Sequence, residues 1–301
     1  MRALFLLSLS SGLIGMILAA SAQQPGLPEG VTIHRDLAYV ENGHERQRLD
    51  LYLPADSGQP LPLVVWIHGG AWLAGSKEDG GPARDFASKG YAVASINYRL
   101  SQHARFPAQI EDCMSAIQWL RKNAGTYRID ANSVAVWGGS AGGHLAALVG
   151  TAGGANVFKT PDPEETTSTR VQAVIDWFGP TDFIQFGNAL DNPDSPEARL
   201  IGGPIQDNME AAASANPITH ISAEDPPFLI MHGTQDSTVP FSQSELLVNA
   251  LRKAGVEVTF QPVAGAGHGG SQFVNQENRA MINAFLEKHL KKHSAPAPHG
   301  E

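Results

Sequence analysis

The sequence predicts an α/β fold: a mostly parallel central sheet, helices on both faces and a small lid insertion. Three observations lead there. Short apolar runs alternate with stretches of helical period along nearly the whole chain, the pattern of repeated strand–helix–strand units. Those runs are apolar at almost every position, as strands covered on both faces must be. The 301 residues are 42% hydrophobic and 17% charged, enough apolar side chain for one large domain or two small ones and unlike a disordered or fibrous chain.

Taken in order, residues 31–40 and 48–53 read as a strand pair that precedes the alternation. Residues 63–67 (LVVWI) are a buried strand, 82–89 a short helix and 91–97 a strand. A helical period runs from Phe106 to Asn123, with Pro107 at its start, where the missing N–H costs nothing. Cys113 falls in its apolar stripe with Ile110, Met114, Ile117 and Leu120, so it is a core residue. Strands are expected at 134–137, 171–178, 228–231 and 256–261, and helices at 141–149, 242–254 and 272–290. Residues 181–225 break the rhythm, being rich in Pro, Asn, Asp and Ala without a clear strand. A segment this long is read as a lid over the carboxyl edge of the sheet, the alternative being an irregular surface loop. The main domain then spans 31–290, and 294–301 is a disordered tail by composition.

The N-terminus reads as an address. Arg2 is a short positive end, residues 4–20 are apolar and Ala20-Ser21-Ala22 is a small-residue cleavage pattern, so 1–22 are expected to be a signal peptide removed after Ala22. The alternative is an uncleaved anchor. The protein is accordingly expected to be exported, periplasmic or extracellular, with no stable membrane insertion after cleavage. Its formal charge, −9 from 21 basic and 30 acidic side chains, argues against binding nucleic acid or anionic membranes. One cysteine excludes an internal disulfide framework and a cysteine-based zinc site.

The chemistry begins at Gly138-Gly139-Ser140-Ala141-Gly142, a G-x-S-x-G run between a strand and a helix. A serine on so sharp a turn needs an unusual backbone conformation and small neighbours, and the turn lifts its hydroxyl above the sheet edge. The first N–H groups of the helix then face the reacting carbon, so the Ala141 N–H is expected to hold a developing oxyanion. Ser140 is the expected nucleophile. His68-Gly69-Gly70-Ala71-Trp72 directly follows the strand 63–67. Its small residues let N–H groups turn toward a carbonyl oxygen, and Gly70 and Ala71 are assigned as further donors. His68, at the end of a buried strand, is read as holding the loop. Trp72 is a candidate wall of the substrate pocket, or it only packs.

Together with His144-Leu145, these two signatures resemble the α/β-hydrolase superfamily, in particular its acetyl esterase and carboxylesterase branch. That branch holds the feruloyl and acetyl-xylan esterase type and relatives of the hormone-sensitive-lipase-like esterases. Phe106-Pro107-Ala108, Trp119-Leu120-Arg121 and Asp130-Ala131-Asn132 share the likeness, which runs from about Val31 to Leu290. Ala71 stands where hormone-sensitive-lipase-like members usually carry a third glycine, and their large N-terminal cap is missing, which points to capless or small-lid esterases.

In that fold the acid and then the histidine follow the serine along the chain. His268, in the loop Gly265-Ala266-Gly267-His268-Gly269-Gly270, is the expected base; His289 and His293 lie on or beyond the last helix, and His220 and His232 precede the last strand. The expected acid is Asp236, 32 residues before His268 in His232-Gly233-Thr234-Gln235-Asp236. Its rival is Asp182, after the preceding strand; Asp207 and Asp225 are read as lid surface. The constellation implies a serine carboxylesterase working through an acyl-enzyme on short-chain or plant-polysaccharide (acetyl or feruloyl) esters, with no metal and no organic cofactor. The partner is a small-molecule or polysaccharide ester. Trp177 and Phe178, at a strand end, either shape its pocket or pack in the core. The base must be neutral to accept a proton, so activity is expected to fall in acid. A serine peptidase or amidase of the prolyl-oligopeptidase or kynurenine-formamidase kind shares the fold and triad. A binding protein on a dead hydrolase scaffold is the reading from another class, and such proteins typically lack the histidine kept here.

Overall fold

Two strands, β1 (Val31–Ala38) and β2 (Arg48–Pro54), pair antiparallel at one edge of an eight-stranded sheet. This is a computed structural model, and it describes residues 27, 29–55, 58–154, 157–160, 166–186 and 192–291. The expected signal peptide 1–22, the tail 294–301 and part of the 181–225 insertion lie outside the described residues. The remaining strands are β3 (Leu61–Ile67), β4 (Ala92–Ile96), β5 (Ile129–Gly139), β6 (Ala173–Trp177), β7 (Phe228–Gly233) and β8 (Val258–Val263). Their order across the sheet is β1-β2-β4-β3-β5-β6-β7-β8. β2 meets β4 antiparallel, and every pair from β4 through β3 to β8 is parallel.

The side-chain alternation within each strand splits the core in two. Leu63, Val65 and Ile67 of β3, Val134 and Val136 of β5, and Phe228 and Ile230 of β7 point to one face. Val64 and Trp66, Ala135 and Trp137, and Leu229 and Met231 point to the other. The first face is covered by α1 (Ala108–Lys122), α3 (Ala141–Ala152) and α6 (Ser242–Lys253), the second by α7 (Gln276–Leu290) and the 3-10 segment Pro82–Lys89. Apolar on both sides, these strands need helices on both faces, the layering expected from the sequence.

Chain order and strand order diverge at one place. From β3 the chain moves to β4 on one side and then crosses back to β5 on the other. The segments that follow the carboxyl ends of β3 and β5 pack on opposite faces of the sheet, the 3-10 helix Pro82–Lys89 on one and α3 on the other, and a crevice is expected at such a point. The loops beyond these two ends carry His68–Trp72 and Ser140.

Differences from the sequence reading are local. Residues 82–89 form a 3-10 helix between Gly81 and Gly90 instead of an α-helix. β5 begins at Ile129, ahead of the apolar run, with the mostly polar stretch 130–133 bulged between its pairing points. β8 sits two residues later than expected, at an edge where burial is partial and apolar patterning weak. The last helix starts at Gln276, where the Asn275 side chain caps the Asn278 N–H and a separate 3-10 turn occupies Ser271–Val274. Among the described residues of 181–225 lie two short helices, α4 (Pro196–Ile201) and α5 (Met209–Ala215), and 3-10 turns at Phe183–Gln185, Ile205–Asp207 and Pro217–His220. Cys113 is buried in α1, and burial pushes its thiol well above the usual range, so it packs and does not react. A single helical turn, α2 (Ala124–Tyr127), links α1 to β5.

Candidate active site

Ser140 terminates β5 with φ 57° and ψ −124°, a conformation that costs a residue with a side chain about 1–3 kcal/mol. Neighbouring structure enforces it. The Ser140 N–H donates to the Trp177 carbonyl at 2.9 Å, and the Ser140 carbonyl accepts the His144 N–H at 3.0 Å, closing the first turn of α3. The helix can start this close to β3 only because residue 142 lacks a side chain: a Cβ on Gly142 would lie 2.1 Å from the Ile67 carbonyl oxygen. The hydroxyl is thereby fixed at the sheet rim, beside the crevice.

Three distant stretches of chain meet there. The Ser140 hydroxyl lies 2.9 Å from His268 Nε2, and His268 Nδ1 lies 2.7 Å from Asp236 Oδ2. A carboxylate only accepts, so Nδ1 carries the imidazole proton and Nε2 presents its lone pair to the serine. Asp236 follows β7, and its Oδ1 accepts the N–H groups of Thr238 at 2.8 Å and Val239 at 3.0 Å. Its carboxylate is fully buried, while the His268 ring keeps partial access to solvent. The Phe178 ring lies under the imidazole, 4.6 Å between centroids. Such a chain can move the serine proton to the imidazole while the buried carboxylate steadies the positive ring.

Asp182 is not in this chain. Its carboxylate accepts the Ile184 N–H at 2.9 Å, the Asn216 side-chain amide at 2.8 Å and the Gln185 amide at 2.6 Å. It caps a turn.

The loop after β3 approaches the elbow closely. A Cβ on Gly69 would stand 2.8 Å from the Gly139 carbonyl oxygen and 3.3 Å from the Ser140 Cβ. Gly70, Ala71 and Trp72 all have positive φ, 108°, 55° and 56°, and the Gly70 carbonyl accepts the N–H groups of Leu73 and Ala74. The N–H groups of Gly70, Ala71 and Ala141 donate to no other described residue, and helix α3 begins at the last of them.

His68 holds this loop from behind. Its Nδ1 donates to the Gly69 carbonyl at 2.7 Å, its Nε2 accepts from the Arg46 guanidinium at 3.0 Å, and its ring stacks on Tyr98. Burial, with the Arg46 charge adding to it, lowers its pKa to about 4, so the ring is neutral at pH 7. Arg46 also donates to the Gly75 and Tyr98 carbonyls and to Asn97. It sits in the loop before β2, where no motif marks it, and sequence reasoning missed it.

Trp72 requires a correction. Expected as a pocket wall, it is 1% exposed and packs edge-on against His144 and Phe183. Its side chain belongs to the hydrophobic core that also holds Leu145 and Phe183. Trp177 is likewise buried, against Trp66, Trp137 and Phe273. His220 Nε2 donates to the Ser214 carbonyl at 2.8 Å, and His289, largely buried against Phe285, lies 3.4 Å from Glu257; His293 lies outside the described residues.

The BD-FAE family model matches residues 49–251, about two-thirds of the chain. The chain belongs to the BD-FAE family. The matched stretch holds Gly70, Ala71, Ser140 and Asp236 and ends before His268. Among curated proteins, this BD-FAE chain is similar to the probable carboxylic ester hydrolase LipM of Mycobacterium tuberculosis, 35% identical over 260 residues, or 82% of this chain and 58% of LipM. The chain thus spans little more than half the length of that relative. Among solved structures it is similar to a truncated carbohydrate esterase from gut microbiota, with TM-score 0.81 and 32% identity over 89% of this chain and 100% of that one. It is also similar to propionate-bound Est2, an esterase of Thermogutta terrifontis, with TM-score 0.70 and 29% identity over 88% of this chain and 98% of the other. The sheet and these neighbours make the BD-FAE chain an α/β-hydrolase.

Proposed function

We propose that this protein is a serine ester hydrolase in which Ser140 is the nucleophile, His268 the general base and acid, and Asp236 the orienting carboxylate. The observation that carries the proposal is the unbroken hydrogen-bonded chain from the Ser140 hydroxyl through His268 to Asp236, with contacts of 2.9 and 2.7 Å. In the first half-reaction Ser140 Oγ bonds to the ester carbonyl carbon as its proton passes to His268 Nε2. The carbonyl electrons move onto oxygen, which the N–H groups of Ala141, Gly70 and Ala71 receive. The carbonyl reforms, the C–O bond to the alcohol breaks, and His268 returns its proton to the departing oxygen. Water repeats the sequence on the acyl-enzyme and releases the acid.

The proposed substrates are short-chain acyl esters, including acetyl and feruloyl esters of plant polysaccharides. Support comes from propionate in the Est2 structure and from the carbohydrate esterase with which the chain shares most of its length. The test is a turnover panel on purified protein: p-nitrophenyl esters of graded chain length, acetylated xylan, methyl ferulate, an anilide and an N-formyl amide. Activity on acetyl to butyryl esters, falling with chain length and negligible on amides, is expected; faster turnover of the amides would overturn the reading. Export is proposed from the 1–22 segment alone, and N-terminal sequencing of the natively produced protein, expected to begin at Gln23, checks it.

A further inference from the structure

Behind the proposed acid stands a second imidazole that the reaction scheme does not use. His232, on β7, is 0% exposed. Its Nε2 lies 3.0 Å from the Val239 carbonyl oxygen and 3.2 Å from Asp236 Oδ2. Both oxygens only accept, so Nε2 carries the proton. Its Nδ1 lies 2.7 Å from the Ser244 hydroxyl in the first turn of α6. Burial lowers the His232 pKa, the neighbouring His268 adding to the effect against the pull of Asp236. The ring is therefore neutral, and the Ser244 hydroxyl donates to Nδ1. One tautomer and one ring orientation satisfy all three contacts.

We propose that His232, locked by Ser244, is a positioning residue for Asp236, and this rests on the reading of Asp236 as the acid of the relay. The brace works at two points. The His232 N–H sits beside Oδ2, the oxygen that receives the His268 proton bond. It also holds the carbonyl of Val239, whose own N–H caps Oδ1. Asp236 projects from a turn whose flanking residues Thr234, Gln235, Ser237 and Thr238 are exposed, so without the brace little fixes the carboxylate plane except its two backbone donors and the His268 N–H that it must itself orient. The same helix turn ties down the neighbouring loop: Gln243 Oε1 accepts the N–H groups of Thr181 and Asp182, both at 2.8 Å. Thus α6 anchors two loops of the sheet rim through adjacent residues, and one of these anchors reaches the relay.

The test is a double-mutant cycle on p-nitrophenyl acetate hydrolysis, with thermal unfolding recorded for every variant. His232→Phe keeps the ring volume and removes both polar contacts. It is expected to lower kcat about ten- to a hundredfold, the worth of a hydrogen bond to a charged group, with KM unchanged. His232→Gln, whose side-chain amide reaches the position of Nε2, is expected to recover kcat to within a few-fold of the parent, and Ser244→Ala to lose less than His232→Phe. In an Asp236→Ala background, His232→Phe is expected to cost nothing further, because its effect runs through the carboxylate. A full-size loss in that background, no loss in the parent, or a His232→Gln as impaired as His232→Phe while equally stable would overturn the positioning role and leave the acid assignment standing. Full activity of Asp236→Ala would overturn both. Should His232→Phe not fold, Ser244→Ala carries the cycle with the same outcomes.

Discussion

The chemistry proposed for Ser140, His268 and Asp236 rests on which atoms they leave free. The Asp236 oxygens are fully engaged, His268 Nδ1 is committed to one of them, and His268 Nε2 and the serine hydroxyl are left to each other. Replacing Ser140 by Ala is expected to lower kcat for p-nitrophenyl acetate by about 10⁴- to 10⁶-fold with an unchanged melting temperature. The rival carboxylates separate cleanly. Asp236→Asn turns an acceptor into a donor opposite Nδ1 and disfavours the reactive tautomer, at an expected cost on the order of 10⁴-fold in kcat. Asp182→Asn should leave kcat within a few-fold and instead destabilise the fold by about 1–3 kcal/mol, since two amide donors there lose an ionised acceptor. The opposite pattern in paired kinetics and melting curves would exchange the two roles. That Ser140, His268 and Asp236 would meet was legible in the sequence, because glycine-flanked turns after apolar strands have few uses. Trp72 was not: an aromatic after a strand reads the same whether it lines a pocket or packs in the core, and its neighbours His144 and Phe183 lie far along the chain.

The elbow and the loop after β3 work as a pair of backbones pressed together. Gly69→Ala would place a methyl carbon 2.8 Å from the Gly139 carbonyl oxygen, so the loop must retreat from Ser140. We expect kcat to fall at least tenfold with melting lowered only modestly, because loop donors displaced by even a fraction of an ångström lose their aim at the oxyanion. Parental kcat in that variant would mean these N–H groups take no part. The strands and most helices could be read from periodicity, as alternation within β3, β5 and β7 sorts neighbouring residues onto opposite faces. The limits of β5 and β8 could not: the pairing of β3 with β5 jumps from Leu61–Ile129 to Leu63–Val134, so 130–133 bulge between two paired points, and β8 pairs on through Gln261 and Pro262, which give no apolar signal. The Arg46 brace on His68 was equally silent, being a long-range pairing of a loop arginine with no local pattern.

Across the whole molecule, buried titratable groups set how stability responds to acid. Burial depresses the pKa of His68 and of His144 from 6.5 to about 4. Between those values the unfolded chain binds protons that the native state refuses, so each histidine makes stability fall as pH drops from about 6.5 to 4. Asp176 acts in the opposite sense. Burial raises it from 3.8 to about 7, so the native state holds a proton that the unfolded chain has released, and stability falls as pH rises through that interval. Two histidines outweigh one carboxyl, and urea unfolding at pH 4.5 and 7.5 is expected to show a net loss in acid. Asp176→Asn removes the opposing group and should widen that difference; a narrower one would contradict the assignment of these protonation states. The 181–225 insertion is the part of the molecule the sequence conveyed least, because its short helices are held by tertiary contacts such as His144 to the Ala215 carbonyl and Phe183 against Trp72. The central claim is that residues 128 positions apart act as one relay at the sheet rim, and covalent trapping tests it most directly. A p-nitrophenyl phosphonate should release one equivalent of p-nitrophenolate per chain and label the peptide bearing Ser140, at a rate at least a thousandfold lower in His268→Ala. Labelling of another residue, or an undiminished rate in the His268 variant, would contradict the account.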